Sequence, residues 1–179
     1  GNFAVEPMRS RAGHLIESRT ALAGLNAFVA VVSASLPERE THQSVFDAGE
    51  LLLDAMTEQD FAHWGPLFVR WELGLLEELG FGLDLSQCAA TGDVDELEFV
   101  SPKSGRAVSR AAAAPYKERL LALPPFLLGS QNAEPTPADI VAGLRLTAHF
   151  LLERVLRPHG KEMPPARLRL EELAHRESE

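Results

Sequence analysis

Cysteine is almost missing from this sequence: Cys88 stands alone in 179 residues. An internal disulfide framework is therefore excluded, and one free thiol is compatible with a reducing compartment. Long apolar runs are missing too. The stretch from Ala21 to Ala34 is interrupted by Gly24 and Asn26 and is too short to span a bilayer, and no signal peptide is visible. Positive charge is in deficit, with 17 Lys and Arg against 26 Asp and Glu and a formal net charge of −9. A complete nucleic-acid binder is more often basic, so any such binding is expected to be local or to belong to parts outside this sequence. Short catalytic motifs are absent as well: there is no GxGxxG, phosphate loop, HExxH or GxSxG. The 6 histidines are scattered singly, so His42 and His63 read as surface or capping residues. Cys88 has no histidine near it in sequence; only the fold could bring His149 or His159 close. No nucleophile or base with an orienting partner can be assembled. A binding or architectural role is favoured over an enzyme.

What is present is enough apolar material, 45% of the chain, for a sizeable core. The length suits one domain with a small insert. The centre is residues 57–82, which read as one helix. Phe61, Trp64, Phe68, Trp71, Leu75 and Leu79 recur every three or four positions and share one face. Thr57 with Asp60 resembles a capping box, Pro66 implies a kink or a separate first turn, and Gly80 and Gly82 end the helix. Arg70, Glu72, Glu77 and Glu78 punctuate it; Glu77 or Glu78 could be read as a catalytic carboxylate, but no partner pairs with either at a defined spacing, and they read as solvated residues at the edge of the apolar face.

The remaining elements follow in order. Phe3 and Val5 alternate as in a strand, and such a short strand either belongs to a larger sheet or is an untidy terminus. Arg9, Arg11 and Arg19 give a mild positive bias to the start, best read as a solvated helix flank. A helix runs from Ser18 or Thr20 to Leu36, with Leu22, Leu25, Phe28 or Val29, and Val32 on its face. Its many alanines permit close packing. A second helix runs from about Ser44 to Met56, striped by Val45, Leu52 and Met56 with Phe46, Leu51 and Leu53 beside them. After residue 80 the helical pattern stops. Leu97, Phe99 and Val100 form a strand, Ser101 to Gly105 a turn, and Ala107 and Val108 a return strand. One side of this hairpin is acidic (Asp93, Asp95, Glu96, Glu98). The other carries Lys103, Arg106 and Arg110, followed by Lys117 and Arg119. It reads as a salt-bridged, solvated hairpin or as a phosphate-contacting surface. A short helix is expected from Pro115 to Leu123, then a break at Pro124 and Pro125, and a loop over 129–137. Thr136 caps a long final helix with Pro137 at its first position and Asp139 at its third. Ile140 or Val141, Leu144, Ala148, Leu151 and Val155 share its face, Arg145, Arg154 and Arg157 project elsewhere, and Pro158 and Gly160 end it. A short helix closes the chain from Pro165 to about Ala174.

Three separated blocks then carry a family resemblance. WELGLLEELGFGLDLSQCAATG, FVSPKSGRAVSRAAAAPY and LRLTAHFLLERVLRPHGKEMP, in this order, resemble the RecO family of bacterial recombination and repair proteins, in the form found in alphaproteobacteria. The resemblance implies a mainly α fold: a bundle-like helical domain over residues 9–179 with a β-hairpin insert at 84–112. It is preceded, at 1–8, by the last strand of an oligonucleotide-binding barrel whose other strands are missing. Many members of the family hold zinc in the insert with four cysteines. The matching positions here are Cys88, Thr91, Ser109 and Ala112, so no metal and no cofactor is expected, and Leu97, Phe99 and Val108 are left to hold the hairpin.

The resemblance further implies a non-enzymatic recombination mediator, cytoplasmic and nucleoid-associated. It would bind single-stranded DNA, mainly through the missing barrel, together with RecR and the acidic, Phe-terminated tail of the single-stranded DNA-binding protein. It would help load RecA onto coated strands and promote annealing. Arg9, Arg11, Lys103, Arg106, Arg110, Lys117 and Arg119 are the expected DNA contacts. Arg70 and Arg145, with Trp71, Leu144 and Phe150 as walls, are the expected tail pocket. Two other roles stay open: an interaction scaffold without direct DNA binding, and an enzyme using Cys88.

Overall fold

A computed structural model describes residues 19–37, 41–129 and 134–179. The expected strand at Phe3 and Val5, together with Arg9 and Arg11, lies outside the described residues. The fold is mainly helical with one small antiparallel sheet, as the sequence implied. The helices are α1 (Arg19–Ser35), α2 (Gln43–Glu58), α3 (Phe61–Glu78), the single turn α4 (Arg110–Ala113), α5 (Pro137–Phe150) and α6 (Pro165–Glu177). The strands are β1 (Leu97–Val100), β2 (Ala107–Ser109) and β3 (Leu121–Ala122).

Helix α3 is the central post. Phe61, Trp64, Phe68, Trp71, Leu75 and Leu76 are all buried on it, and it packs against α2 on one side and α5 on the other. Its aromatic rings run in a chain: Phe61 to Trp64 at 4.9 Å, Trp64 to Phe68 at 6.5 Å, Phe68 to Trp71 at 5.9 Å. Such edge-on pairs add to the burial of large apolar area. The start differs from the expected capping box. Thr57 lies inside α2, its hydroxyl donating to the Asp54 carbonyl at 2.8 Å, and Asp60 takes the N-cap place of α3. Pro66 is accommodated inside α3 without ending it. The helix closes at Gly80, where φ is +89°. Gly80 N–H donates to Glu77 (3.0 Å) and Phe81 N–H to Leu76 (2.7 Å), the paired bonds of a Schellman end.

Helix α1 presents a different face from the expected one. Ala21, Gly24, Ala27 and Val31 are buried, while Leu22 and Val29 are exposed. The reason is close approach: a Cβ on Gly24 would stand 2.5 Å from the Trp64 ring. The axis comes in on its small side, and the bulkier residues are left at the flanks. In the same way Phe46 and Leu51 on α2 remain exposed while Val45, Leu52 and Met56 go inside.

The insert holds more than a hairpin. β1 pairs with β2 antiparallel, Phe99 opposite Val108 and Val100 opposite Ala107, with an irregularity between Leu97 and Phe99. The expected helix over Pro115–Leu123 is instead a 3₁₀ turn (Ala114–Arg119) followed by β3, which pairs on the other edge of β1. Two prolines and a β-branch-poor stretch gave no strand signal; β3 forms because β1 offers it an edge. Val100 and Ala107 are fully buried and Leu97 and Val108 nearly so, so the sheet is seated by its own apolar residues.

Thr136 and Asp139 form the expected capping box at α5, with reciprocal bonds of 3.1 and 2.9 Å. The expected continuous helix to Arg157 is interrupted: a π-helical turn spans Leu151–Leu156 and a 3₁₀ turn Arg157–His159, ending at Gly160 with φ +70°. α6 then returns to lie against α1 and α5.

Candidate nucleic-acid and partner surfaces

The basic side of the insert divides into two groups. Arg110 hydrogen-bonds Glu98 and stands 3.7 Å from Glu96. The Glu98 bond and charge hold its guanidinium still further above its usual range. Arg106 faces Asp84 at 4.0 Å. These two cations are spoken for by the insert's own acids. Lys103, Lys117 and Arg119 are exposed and have no carboxylate partner within salt-bridge distance among the described residues. The Lys117 ammonium lies 6.0 Å from the Phe99 ring centre, which holds it beside the sheet.

The hairpin tip is pinned to α5 and the turn that follows it. His149 approaches the Pro102 carbonyl at 3.3 Å. Arg154 reaches the carbonyls of Lys103 and Phe81, both at 3.4 Å, while its guanidinium lies over the Phe150 ring at 4.6 Å. Sequence reasoning left Arg154 as a residue that projects elsewhere. Its role depends on the π-helical turn and on a tip more than forty positions away, which periodicity does not report.

The four positions that match the family's zinc cysteines do come together. The Ser109 N–H donates to Cys88 Sγ at 3.3 Å, and the Ser109 hydroxyl accepts from Ala112 N–H at 3.3 Å. The Thr91 hydroxyl accepts from Asp93 N–H at 3.2 Å. A closed zinc site takes four thiolate or imidazole donors. Here one thiol is joined by two hydroxyls already used by the backbone and by an alanine with no donor, so the residues do not fit zinc. Among the described residues no group of three or more His, Cys, Asp or Glu could hold a metal. Burial pushes the Cys88 thiol up, but hydrogen bonds from Thr91 and Ser109 outweigh it and bring the thiol down to about 6. Its partners are those two residues; His149 turns instead to Pro102.

The five residues expected to make a tail pocket are not assembled on one surface. Leu144 and Phe150 are core residues, 1% and 0% exposed, and have no surface to offer a peptide. Trp71 is buried against α1 and α2, its indole N–H donating to the Val45 carbonyl at 3.1 Å. Arg70 is on the surface, but it donates to the Phe126 carbonyl at 2.8 Å and lies over that ring. Arg145 is exposed on α5. Arg70 and the edge of Trp71 line a groove of about 380 Å³ together with Val45, Gly74, Glu77 and Glu78. Those two carboxylates are of the wrong sign for an acidic tail. His42, expected as a surface or capping residue, takes the N-cap place of α2 without a side-chain cap bond; it is buried, and its ring meets Glu78 at 3.2 Å. His63 is exposed and bonded to Asp60, which raises its pKa.

The polar centre that sequence reasoning missed is internal. Glu72, which the sequence shows only as one of the charges punctuating the helix, is fully buried. Arg167, from α6, grips both its oxygens at 2.8 and 2.9 Å and also donates to the Leu144 carbonyl at 2.8 Å. The Thr147 hydroxyl donates to Glu72 at 2.6 Å. One buried, bidentate pair thus ties α3, α5 and α6 together. The available signal was the position of Glu72 between Phe68 and Leu75 in the apolar stripe.

Comparisons with known proteins bear on the whole chain. Residues 16–163 match the family model described as Recombination protein O C terminal. A protein named DNA repair protein RecO from Phenylobacterium zucineum is 52% identical over 168 residues, covering 94% of this chain and 68% of its own length. Proteins of the same name from Caulobacter vibrioides strain NA1000 and Rhodospirillum centenum are 50% and 48% identical, with 68% and 66% of their lengths covered. No solved structure matches the chain significantly. A model match that runs through the post and the insert, together with relatives at about half identity over 94% of the chain, settles the kinship: the chain belongs to the RecO family.

Proposed function

We propose that this chain serves DNA repair as a non-enzymatic recombination mediator. It would exchange contacts with single-stranded DNA, the single-stranded DNA-binding protein and RecR, so that RecA is loaded and complementary strands anneal. The observation that carries the reading is the near 50% identity, over 94% of the chain, to proteins named DNA repair protein RecO. In this reading residues 1–8 are the end of a barrel, 9–179 the helical domain and 84–112 its insert, working in the cytoplasm at the nucleoid. No helix among the described residues is long and apolar enough to cross a membrane.

Phosphate contacts are assigned first to Lys103, Lys117 and Arg119, whose charges are not met by carboxylates among the described residues. Arg106, Arg110, Arg9 and Arg11 remain secondary candidates. For the tail of the single-stranded DNA-binding protein, Arg70 and Arg145 remain the proposed charge contacts. The test is anisotropy of a labelled single-stranded oligonucleotide at two salt concentrations. Binding that weakens steeply with salt supports phosphate contact; salt-independent or absent binding removes it. A second reading, a scaffold without direct DNA contact, draws on the −9 net charge and on the internal pairing of Arg106 and Arg110. It predicts partner capture with no oligonucleotide shift.

A further inference from the structure

Helices α1 and α6 lie side by side and leave a furrow of about 310 Å³ between them. On α1 the furrow is lined by Arg19, Leu22, Ala23 and Asn26, and on α6 by Arg169, Leu173 and Arg176, with Glu172 the only acid in its lining among the described residues. The spacing on each helix is three, four and seven, so the lining is one continuous face of each. Leu22 is 37% exposed at its floor. Arg19, Arg169 and Arg176 form no ion pair within 4.0 Å among the described residues. Three unpaired guanidinium groups along an apolar furrow are notable in a chain of net charge −9. Of the other described arginines, Arg70, Arg106, Arg110, Arg154 and Arg167 are engaged by carboxylates or carbonyls, whereas Arg119 and Arg145 are exposed and without an ion pair among the described residues, each lying apart from this furrow.

We propose that this furrow docks an acidic amphipathic helix of a partner protein. The shape argument is that two parallel ridges with an apolar floor accept a third helix, whose apolar side chains at i, i+3, i+4 and i+7 sit between them. The charge argument is that the flanks of such a helix meet the two arginine rims, Arg19 on one side and Arg169 and Arg176 on the other. A DNA backbone matches the arginines but leaves the Leu22 and Leu173 floor without a counterpart. The site is separate from the insert cations and from the Arg70 groove, and it stands whether or not the chain binds DNA.

The probe is a labelled, designed peptide: a single amphipathic helix with a leucine stripe and glutamate flanks, titrated by anisotropy against the full chain. The charge-reversed protein R169E/R176E is compared with wild type, alongside the same peptide with lysine flanks. Saturable binding of the acidic peptide that falls about tenfold or more in R169E/R176E, with the lysine peptide now preferred, supports the proposal. A proline-interrupted peptide of equal composition that binds as well as the helical one overturns it, because the furrow then reads charge alone. Binding of a single-stranded oligonucleotide, in place of the peptide, that is lost in R169E/R176E also overturns it. So does sedimentation showing that wild type self-associates through this face and the variant does not. No peptide binding at all overturns it outright. Circular dichroism of the variant, expected to match wild type because both arginines are exposed, guards against a folding defect. The oligonucleotide shift of the insert variants is read separately, so loss of one result does not imply loss of the other.

Discussion

Among single residues, Glu72 and Arg167 have the largest expected effect. A buried pair contributes little over a well-packed apolar replacement, but breaking it leaves one charge unpaired in the core. Glu72→Ala and Arg167→Ala are each expected to lose about 3–5 kcal/mol in urea denaturation, whereas a double apolar replacement that fills the same volume is expected to lose much less. Equal losses for single and double changes would mean that the pair is not what ties the helices. Cys88 gives a pH signature. Its thiol is held near 6 in the folded protein against an ordinary value of 9.0, so the unfolded chain binds more protons between those limits. The depressed pKa therefore adds stability that is fully present above pH 9.0 and is lost as pH falls through 6. Stability of wild type relative to Cys88→Ser is expected to rise across that window; a flat difference would show that the thiol is not ionised in place. Neither residue was legible in sequence. Glu72 looks like any charge on a helix until the helix carrying its counter-ion is placed, and Cys88 is shifted by the Thr91 hydroxyl and by Ser109 donors that only the folded insert brings to its sulfur.

Elements were far more legible than pairs. The stripe from Phe61 to Leu79 gave α3, and Thr136, Pro137 and Asp139 gave the start of α5 to the residue, because local chemistry decides both. The turn at Ser101–Gly105 was legible for the same reason. What failed was decided by neighbours. β3 needs an edge on β1, the π-helical turn has no local signal in the periodic run that contains it, and the buried face of α1 was set by which residues let Trp64 come close. The tail pocket failed similarly, since an apolar stripe does not say which of its members stay dry. Two glycine substitutions separate local from tertiary causes. Gly24→Ala puts a methyl within 2.5 Å of a buried indole and is expected to cost about 1–3 kcal/mol by overpacking. Gly74→Ala, exposed on α3 with nothing within 4 Å, is expected to stabilise by about 0.5–1 kcal/mol through helix propensity alone. Thermal midpoints moving the same way for both would contradict the close approach of α1.

For the whole molecule, the question is how a chain of net charge −9 can meet a polyanion. The arrangement answers by segregation: the insert neutralises Arg106 and Arg110 internally and leaves Lys103, Lys117 and Arg119 outward. If the proposed contacts hold, removing Lys117 and Arg119 together lowers the slope of log affinity against log salt by about 1.4, at about 0.7 per contact for single strands. The same slope in the double variant would return the DNA contact to other parts of the protein. The chain spans 68% of the length of its Phenylobacterium relative; the change in slope, unlike the overall affinity, reports on these two residues alone.

The tie between Glu72 and Arg167 also fixes an order in time. The two are separated by 95 positions, and a ribosome releases the acid long before the base. Until α6 emerges, the growing core around α3 contains a carboxylate with no cation to meet it, so closure waits for nearly the whole chain. The match to the family model stops at residue 163, four positions short of Arg167. A protein trimmed at that point would keep the whole of that model match and still be unable to shut its own interior.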